Sequence, residues 1–194
     1  MNKTGLLVVS AFAGLSLVAT QARADEVVVT GHRMERQGIV VGASIDGGNI
    51  GCQTKNGDDC GDGAHPAGGF SVHLGGMVTP SLAILGEVWG MAHTEDNITA
   101  SQGLATAGVR AWVIPRLWLQ AGVGVARSKI SYEGDVFMAS AQSDTVPAFV
   151  VAAGVELLAT DTFGLDLEIR GGSGFYEGDA RVYNAAIGVG ASFF

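Results

Sequence analysis

The residues best able to do chemistry in this chain are charged side chains set singly among small and apolar neighbours. In "FGLDLEIRG", Asp166, Glu168 and Arg170 occupy alternate positions, while Glu87, Arg110 and Glu156 each interrupt an otherwise uncharged stretch. Carboxylates and guanidinium groups held away from water must pair and fill their hydrogen bonds, because a lone buried charge is costly. The same groups in a continuous file would carry ions or protons. The expectation is a stapled polar layer made by these six residues, with the conducting path as its alternative.

A hydrolytic site would need a nucleophile, a base and an acid. His93, Glu95 and Ser101 are the one arrangement to test; His65 falls in a loop and His73 in mid-strand. A chain with 4 histidines and many serines supplies such a trio by chance, so no catalytic role is expected. Cys52 and Cys60 are the only cysteines, and in an oxidising compartment such a pair closes a disulfide. They lack the second ligand pair of a metal site. Asp58, Asp59 and Asp62 lie between them and just beyond, without the spacing or the closing Glu of a calcium loop, so neither metal nor cofactor is expected.

These groups need elements to hold them, and the N-terminus says where those elements are built. Asn2 and Lys3, an apolar run from Leu6 to Val18, and Ala22-Arg23-Ala24 describe a secretory signal over residues 1–24, too short and wrongly flanked for a membrane anchor. Its removal takes Lys3 and Arg23, leaving 9 basic residues against 19 acidic ones, so the formal charge moves from −8 to −10. Nucleic acid is therefore excluded as a partner. Charged residues make up only 15% of the chain, Gly reaches 30, and mean hydropathy is +0.32, yet no stretch after the leader is apolar enough for a spanning helix.

Apolar residues at every second position resolve that contrast. Phe163, Leu165, Leu167 and Ile169 alternate with Gly164, Asp166, Glu168 and Arg170; Leu117, Leu119, Ala121, Val123 and Val125 alternate with Trp118, Gln120, Gly122 and Gly124. "FSVHLGGMV" and "GIVVGASID" repeat the pattern. Eight strands are predicted: Gly38 to Asp46, Ala67 to Val78, Leu82 to His93, Ala100 to Ile114, Leu117 to Lys129, Val146 to Leu158, Phe163 to Gly172, and Ala180 to Phe194. Short turns at Thr79-Pro80-Ser81, Pro115-Arg116 and Ala159 to Thr162 alternate with longer loops at Gly47 to Pro66, Thr94 to Thr99, Ile130 to Thr145 and Ser173 to Asp179. Short turns on one rim and loops on the other are the pattern of a bacterial transmembrane barrel, whose short side faces the periplasm.

A soluble barrel shares the alternation but needs a wet exterior dense in charge. Beyond the leader only Lys55 and Lys129 are lysines, and the polar faces are dominated by Gly, Ala and Ser. Small residues suit the cramped lumen of an eight-strand barrel. Trp89, Trp112 and Trp118 fall on the inward parity, either filling the lumen or marking a bulge. Phe70, Phe149, Phe163, Phe175, Tyr176 and Phe193 suit lipid-facing or interfacial positions.

The eight-strand pattern, loop asymmetry, leader and terminal "GASFF" resemble the small outer-membrane barrels, a group that includes the outer-membrane protein A transmembrane domain and the X- and W-type porin-like proteins. The resemblance covers residues 38–194. It implies an eight-stranded antiparallel up-and-down barrel, contact with outer-membrane lipid and lipopolysaccharide, recognition of Phe193 and Phe194 by the barrel-assembly machinery, and a monomer with both termini periplasmic. Phe193, not Phe194, shares a face with Ile187, Val189 and Ala191, a departure from the usual parity.

Residues 25–37 form a separate periplasmic segment. "DEVVVTGHR" resembles the energy-coupling TonB box at the start of TonB-dependent transporters, and that resemblance makes Glu26, Val27, Val28, Val29 and Thr30 the partner-binding residues. Three consecutive valines suit strand addition to another sheet. A chain of 194 residues has no room for a transporter's plug and wide barrel, which leaves an accessory role. The function expected is a small outer-membrane barrel, structural or surface-interacting, with a charge-plugged lumen. A narrow pore, a TonB-linked accessory and a lipid-modifying enzyme are the alternatives.

Overall fold

The computed structural model describes residues 35–54, 58–60, 63–133, 138–176 and 180–194. The expected leader and Glu26 to Thr30 lie outside them. Among the described residues nine strands form one antiparallel sheet: β1 (Ile39–Gln53), β2 (His65–Thr79), β3 (Leu82–Glu95), β4 (Ile98–Ile114), β5 (Leu117–Glu133), β6 (Met138–Gln142), β7 (Val146–Ala159), β8 (Phe163–Phe175) and β9 (Arg181–Phe193). Strand β1 pairs β9 from Val41↔Phe193 to Gln53↔Arg181, so the sheet closes on itself. Both β6 and β7 pair with β5, β6 along Lys129 to Glu133 and β7 along Leu117 to Ala126. They are two pieces of one staves' position, and the barrel has eight.

Each hairpin is longer than the alternation suggested. Strand β1 runs past Asp46 to Gln53, and β2 starts at His65, so most of the expected loop from Gly47 is ladder. The Gly47-Gly48 pair hides the period, but a Cβ on Gly48 would lie 2.0 Å from the Ala185 carbonyl oxygen, so glycine is what lets β9 approach. The expected Thr94 to Thr99 loop is a two-residue turn. Asp96 and Asn97 adopt φ of 46° and 67°, between the paired Glu95 and Ile98, a left-handed conformation that Asp and Asn tolerate and that matches strand twist. In place of the Ile130 to Thr145 loop, β5 continues to Glu133 and β6 pairs back along it. Strand β8 likewise continues to Phe175.

The three short turns stand where expected. Register shifts at Met77/Thr79, Trp112/Ile114 and Glu156/Leu158 all lie beside them, on one rim. Trp112 and Trp118 face each other across β4 and β5 inside the lumen, with the bulge falling just after Trp112.

The two faces are the reverse of a water-soluble domain. Ile45 is 79% exposed and Val123 72%, whereas Arg110 is 1% and Glu156 2% exposed. Apolar residues forming a continuous outer surface mark a membrane face rather than a wet one. Among the described residues no helix is long and apolar enough to cross a membrane.

Candidate functional site in the barrel lumen

Three layers of side chains stack inside the barrel. The central one is built on Arg170 of β8, whose alternate neighbours Glu168 and Asp166 share its inward face. Arg170 Nη2 donates to Glu168 Oε1 at 2.6 Å, Nη1 donates to Glu87 Oε1 of β3 at 3.0 Å, and Nε lies 3.7 Å from Asp46 Oδ1 of β1. One guanidinium thus serves three carboxylates from three strands. Its planar fork of donors is suited to that task in a way a lysine ammonium is not. Ser44 Oγ donates to Asp46 Oδ2 at 3.2 Å and lies 2.9 Å from Ser71 Oγ, carrying the network on to β2.

Glu87 and Arg110, both expected in the polar layer, are not cross-strand neighbours. The β3 and β4 register pairs Glu87 with Thr106 and Arg110 with Ala83. Gln120 of β5 spans the gap: Arg110 Nε donates to Gln120 Oε1 at 2.9 Å, and Gln120 Nε2 donates to Glu87 Oε2 at 2.8 Å. An amide can do this because one end accepts while the other donates. Arg110 also lies 4.1 Å from the Trp118 ring and donates through Nη1 to Ser192 Oγ at 3.4 Å. Ser192 meets His73 Nε2 at 3.1 Å. Asp166 is buried on the same inner face.

The turn-side layer belongs to Arg36 and Glu156. Arg36 precedes β1 and is 3% exposed, because its side chain enters the barrel and pairs through Nη2 with Glu156 Oε2. It donates to the Pro115 carbonyl at 3.2 Å, and its guanidinium lies 4.7 Å from the Trp112 ring and 5.3 Å from that of Phe194. Trp112 Nε1 donates to the other oxygen of Glu156 at 2.7 Å. So Phe194 turns in against Trp112, while Phe193 stays on the outer face beside Phe163.

The loop-side layer is apolar. Trp89, Met91, Leu104, Val146, Val150 and Ile50 form a buried cluster inside the barrel. Gln102 is set within it, with Nε2 donating to Tyr176 Oη at 3.0 Å and Oε1 accepting from Asn184 Nδ2 at 2.9 Å. Tyr176, expected at the lipid interface, is half-buried and instead points its hydroxyl inward to Gln102 and to Ser128, 2.6 Å away. Phe70, Phe175 and Phe193 are exposed on the outer face.

The hydrolytic trio does not assemble. His93 and Glu95 share the inner parity of β3, but Ser101 lies opposite Ala92, on the other face of the sheet, and its hydroxyl donates to the Lys129 carbonyl. Cys52 and Cys60 are joined in a disulfide that closes the end of the β1–β2 hairpin. Of the lumen contacts, Gln120 and His73 were visible as inward-parity residues; Arg36 was not, because it precedes the first strand and no alternation marks it.

A closed antiparallel barrel with an apolar outside and a charged, hydrogen-bonded inside defines a small membrane-spanning barrel protein. The chain belongs to the outer membrane protein beta-barrel domain family, whose pattern matches residues 10–193. Its membrane is therefore the bacterial outer membrane. No curated protein sequence matches the chain. Among solved structures it is similar to Ail, the attachment invasion locus protein of Yersinia pestis, at 14% identity and a TM-score of 0.59, over 81% of this chain and 99% of that one. It is also similar to Neisserial surface protein A, at 15% identity and a TM-score of 0.55, over 78% of this chain and 95% of that one. At such identities the likeness is one of fold.

Proposed function

We propose that this protein is a structural, surface-interacting barrel of the outer membrane whose lumen does not conduct, and that it carries out no catalysis. The observation that carries the reading is the stacking of three layers of buried side chains: Arg36 with Glu156, the Arg170 network, and the largely apolar cluster around Trp89. An ion crossing the barrel would have to displace a guanidinium held by three carboxylates and then pass a largely apolar layer filled by Trp89, Met91 and Leu104, which is prohibitive. In this reading the turn rim and both termini face the periplasm, the disulfide-closed hairpin and the β6 extension face outward, and outer-membrane lipid, lipopolysaccharide and the assembly machinery are the partners. The refolded, heat-modifiable protein in a planar bilayer should give no discrete conductance. Reproducible steps that change with Glu87 or Arg110 substitutions would instead make it a narrow channel.

A TonB-linked accessory role is supported by one further observation. Glu35 N donates to Asp161 Oδ1 at 3.1 Å and Arg36 is seated in the lumen, so the described chain begins at the turn rim, which this reading sets in the periplasm. A peptide spanning Asp25 to Gln37 should bind a TonB C-terminal domain better than its scrambled counterpart; equal binding removes the role.

A further inference from the structure

We infer that His65, His93 and Glu95 form a binding site for a divalent transition-metal ion of the zinc type at the loop-side mouth of the barrel. The fold brings them together. With β2 beginning at His65, its side chain shares the inward parity of His73, and the β2–β3 register sets the start of β2 beside the end of β3, where His93 and Glu95 are two residues apart on the same face. One donor atom from each of the three lies within 4.8 Å of the other two. Asp96, Ile98 and Ala100 complete the lining of a cavity of about 290 Å³ beside them.

The hydrogen-bond geometry at His93 suits a cation. Its Nδ1 is 2.6 Å from the Pro66 carbonyl oxygen, which can only accept, so Nδ1 carries the hydrogen. A neutral imidazole has only that one N–H, which leaves Nε2 as a bare lone pair. That lone pair faces the solvent-exposed Glu95 Oε2 at 3.3 Å, and a cation shared by the two would satisfy both acceptors. A carbonyl that holds Nδ1–H fixes the tautomer and ring orientation and leaves Nε2 free to bind a metal.

A metal ion there would also engage His65, whose ring is stacked on that of His93 with centroids 4.9 Å apart at 29°. A tetrahedral ion with bonds of about 2.0–2.1 Å has ligands about 3.3–3.4 Å apart, which is the His93–Glu95 separation already present. His65, at the first position of β2, needs a side-chain rotation to close the third contact. Two imidazoles and one carboxylate suit borderline ions such as Zn(II) or Cu(II) rather than Ca(II) or Mg(II), whose ligands are oxygen. With three protein ligands and room beside them, the fourth position takes water. Bound metal would clamp the first strand turn of β2 to the β3–β4 hairpin.

The test uses the mature chain without an affinity tag, refolded in detergent, checked by heat-modifiable mobility and stripped with a chelator. Calorimetric titration with Zn(II) alone should show one equivalent bound. His65→Ala, His93→Ala and Glu95→Gln should each weaken that binding by about tenfold or more, whereas His32→Ala should leave it unchanged. Cu(II) added to the unmutated protein should show the magnetic coupling of two imidazole nitrogens, a readout independent of whether any variant folds. The inference is overturned if the folded protein binds no Zn(II), if Cu(II) shows fewer than two nitrogens, or if the His65→Ala/His93→Ala double variant binds Zn(II) equally well.

Discussion

Arg36 and Glu156, 120 residues apart in the chain, are joined inside the barrel by an ion pair in which both side chains are almost wholly buried. Arg36, just ahead of the first strand, is therefore part of the lumen, and Glu35 beside it is tied to the turn rim through Asp161. Arg36→Ala would leave Glu156 buried with Trp112 as its remaining donor, and breaking a buried pair from one side costs about 3–5 kcal/mol. A lower urea midpoint in detergent is expected, with no conductance gained, because the Arg170 layer is untouched. A bilayer current from this variant would mean that Arg36 alone seals the pore.

Removing the central cation should do more harm than removing any one of its partners. Arg170→Met leaves Glu87, Glu168 and Asp46 without their shared guanidinium, again a loss of about 3–5 kcal/mol or more. Glu87→Gln keeps an acceptor for Arg170 and should cost less. The double variant should fall well short of the sum, as expected for groups in one network. Full additivity in denaturant unfolding would show that the two do not act together.

Gly154 and Trp118 are complementary. A Cβ at position 154 would lie 2.4 Å from the indole ring, and Trp118 is packed too tightly to move away. Gly154→Ala should destabilise the barrel by about 1–3 kcal/mol through overpacking. Trp118→Leu in the same chain should recover part of that loss, which the unfolding midpoints of the single and double variants would reveal.

The Asp96-Asn97 turn permits a test outside the lumen. Asn97→Gly suits φ of 67° and should leave stability unchanged or slightly raised, while Asn97→Val should cost about 1–2 kcal/mol. Equal unfolding midpoints for the two variants would show that the hairpin is held by its ladder rather than by its turn.

The barrel was legible because its lipid face repeats with a period of two. Ile39, Val41, Ala43 and Ile45, or Phe163, Leu165, Leu167 and Ile169, declare a strand and its outward side without help from anything distant. The upper ends of the hairpins were not legible, because beyond the lipid the outer face need not be apolar. At Gly47-Gly48 and around Ser143 the pattern lapses although pairing continues or soon resumes. Tyr176 illustrates the same limit: an aromatic residue at a rim can face lipid or turn inward, and only the presence of Gln102 and Ser128 settles which.

For the lumen, inward parity picked out Glu87, Arg110, Glu156, Asp166, Glu168 and Arg170 as interior residues, and composition required them to be partnered. Parity is local, but partnership depends on strand stagger and on the reach of side chains across the lumen. Only the closed structure therefore set Gln120 between Glu87 and Arg110, gathered three carboxylates on Arg170, and brought Arg36 in from outside the sheet. The same is true of His65, His93 and Glu95. Sequence determined which way each strand faces, whereas tertiary structure decided which residues meet, because closing the sheet makes neighbours of side chains that no local period relates.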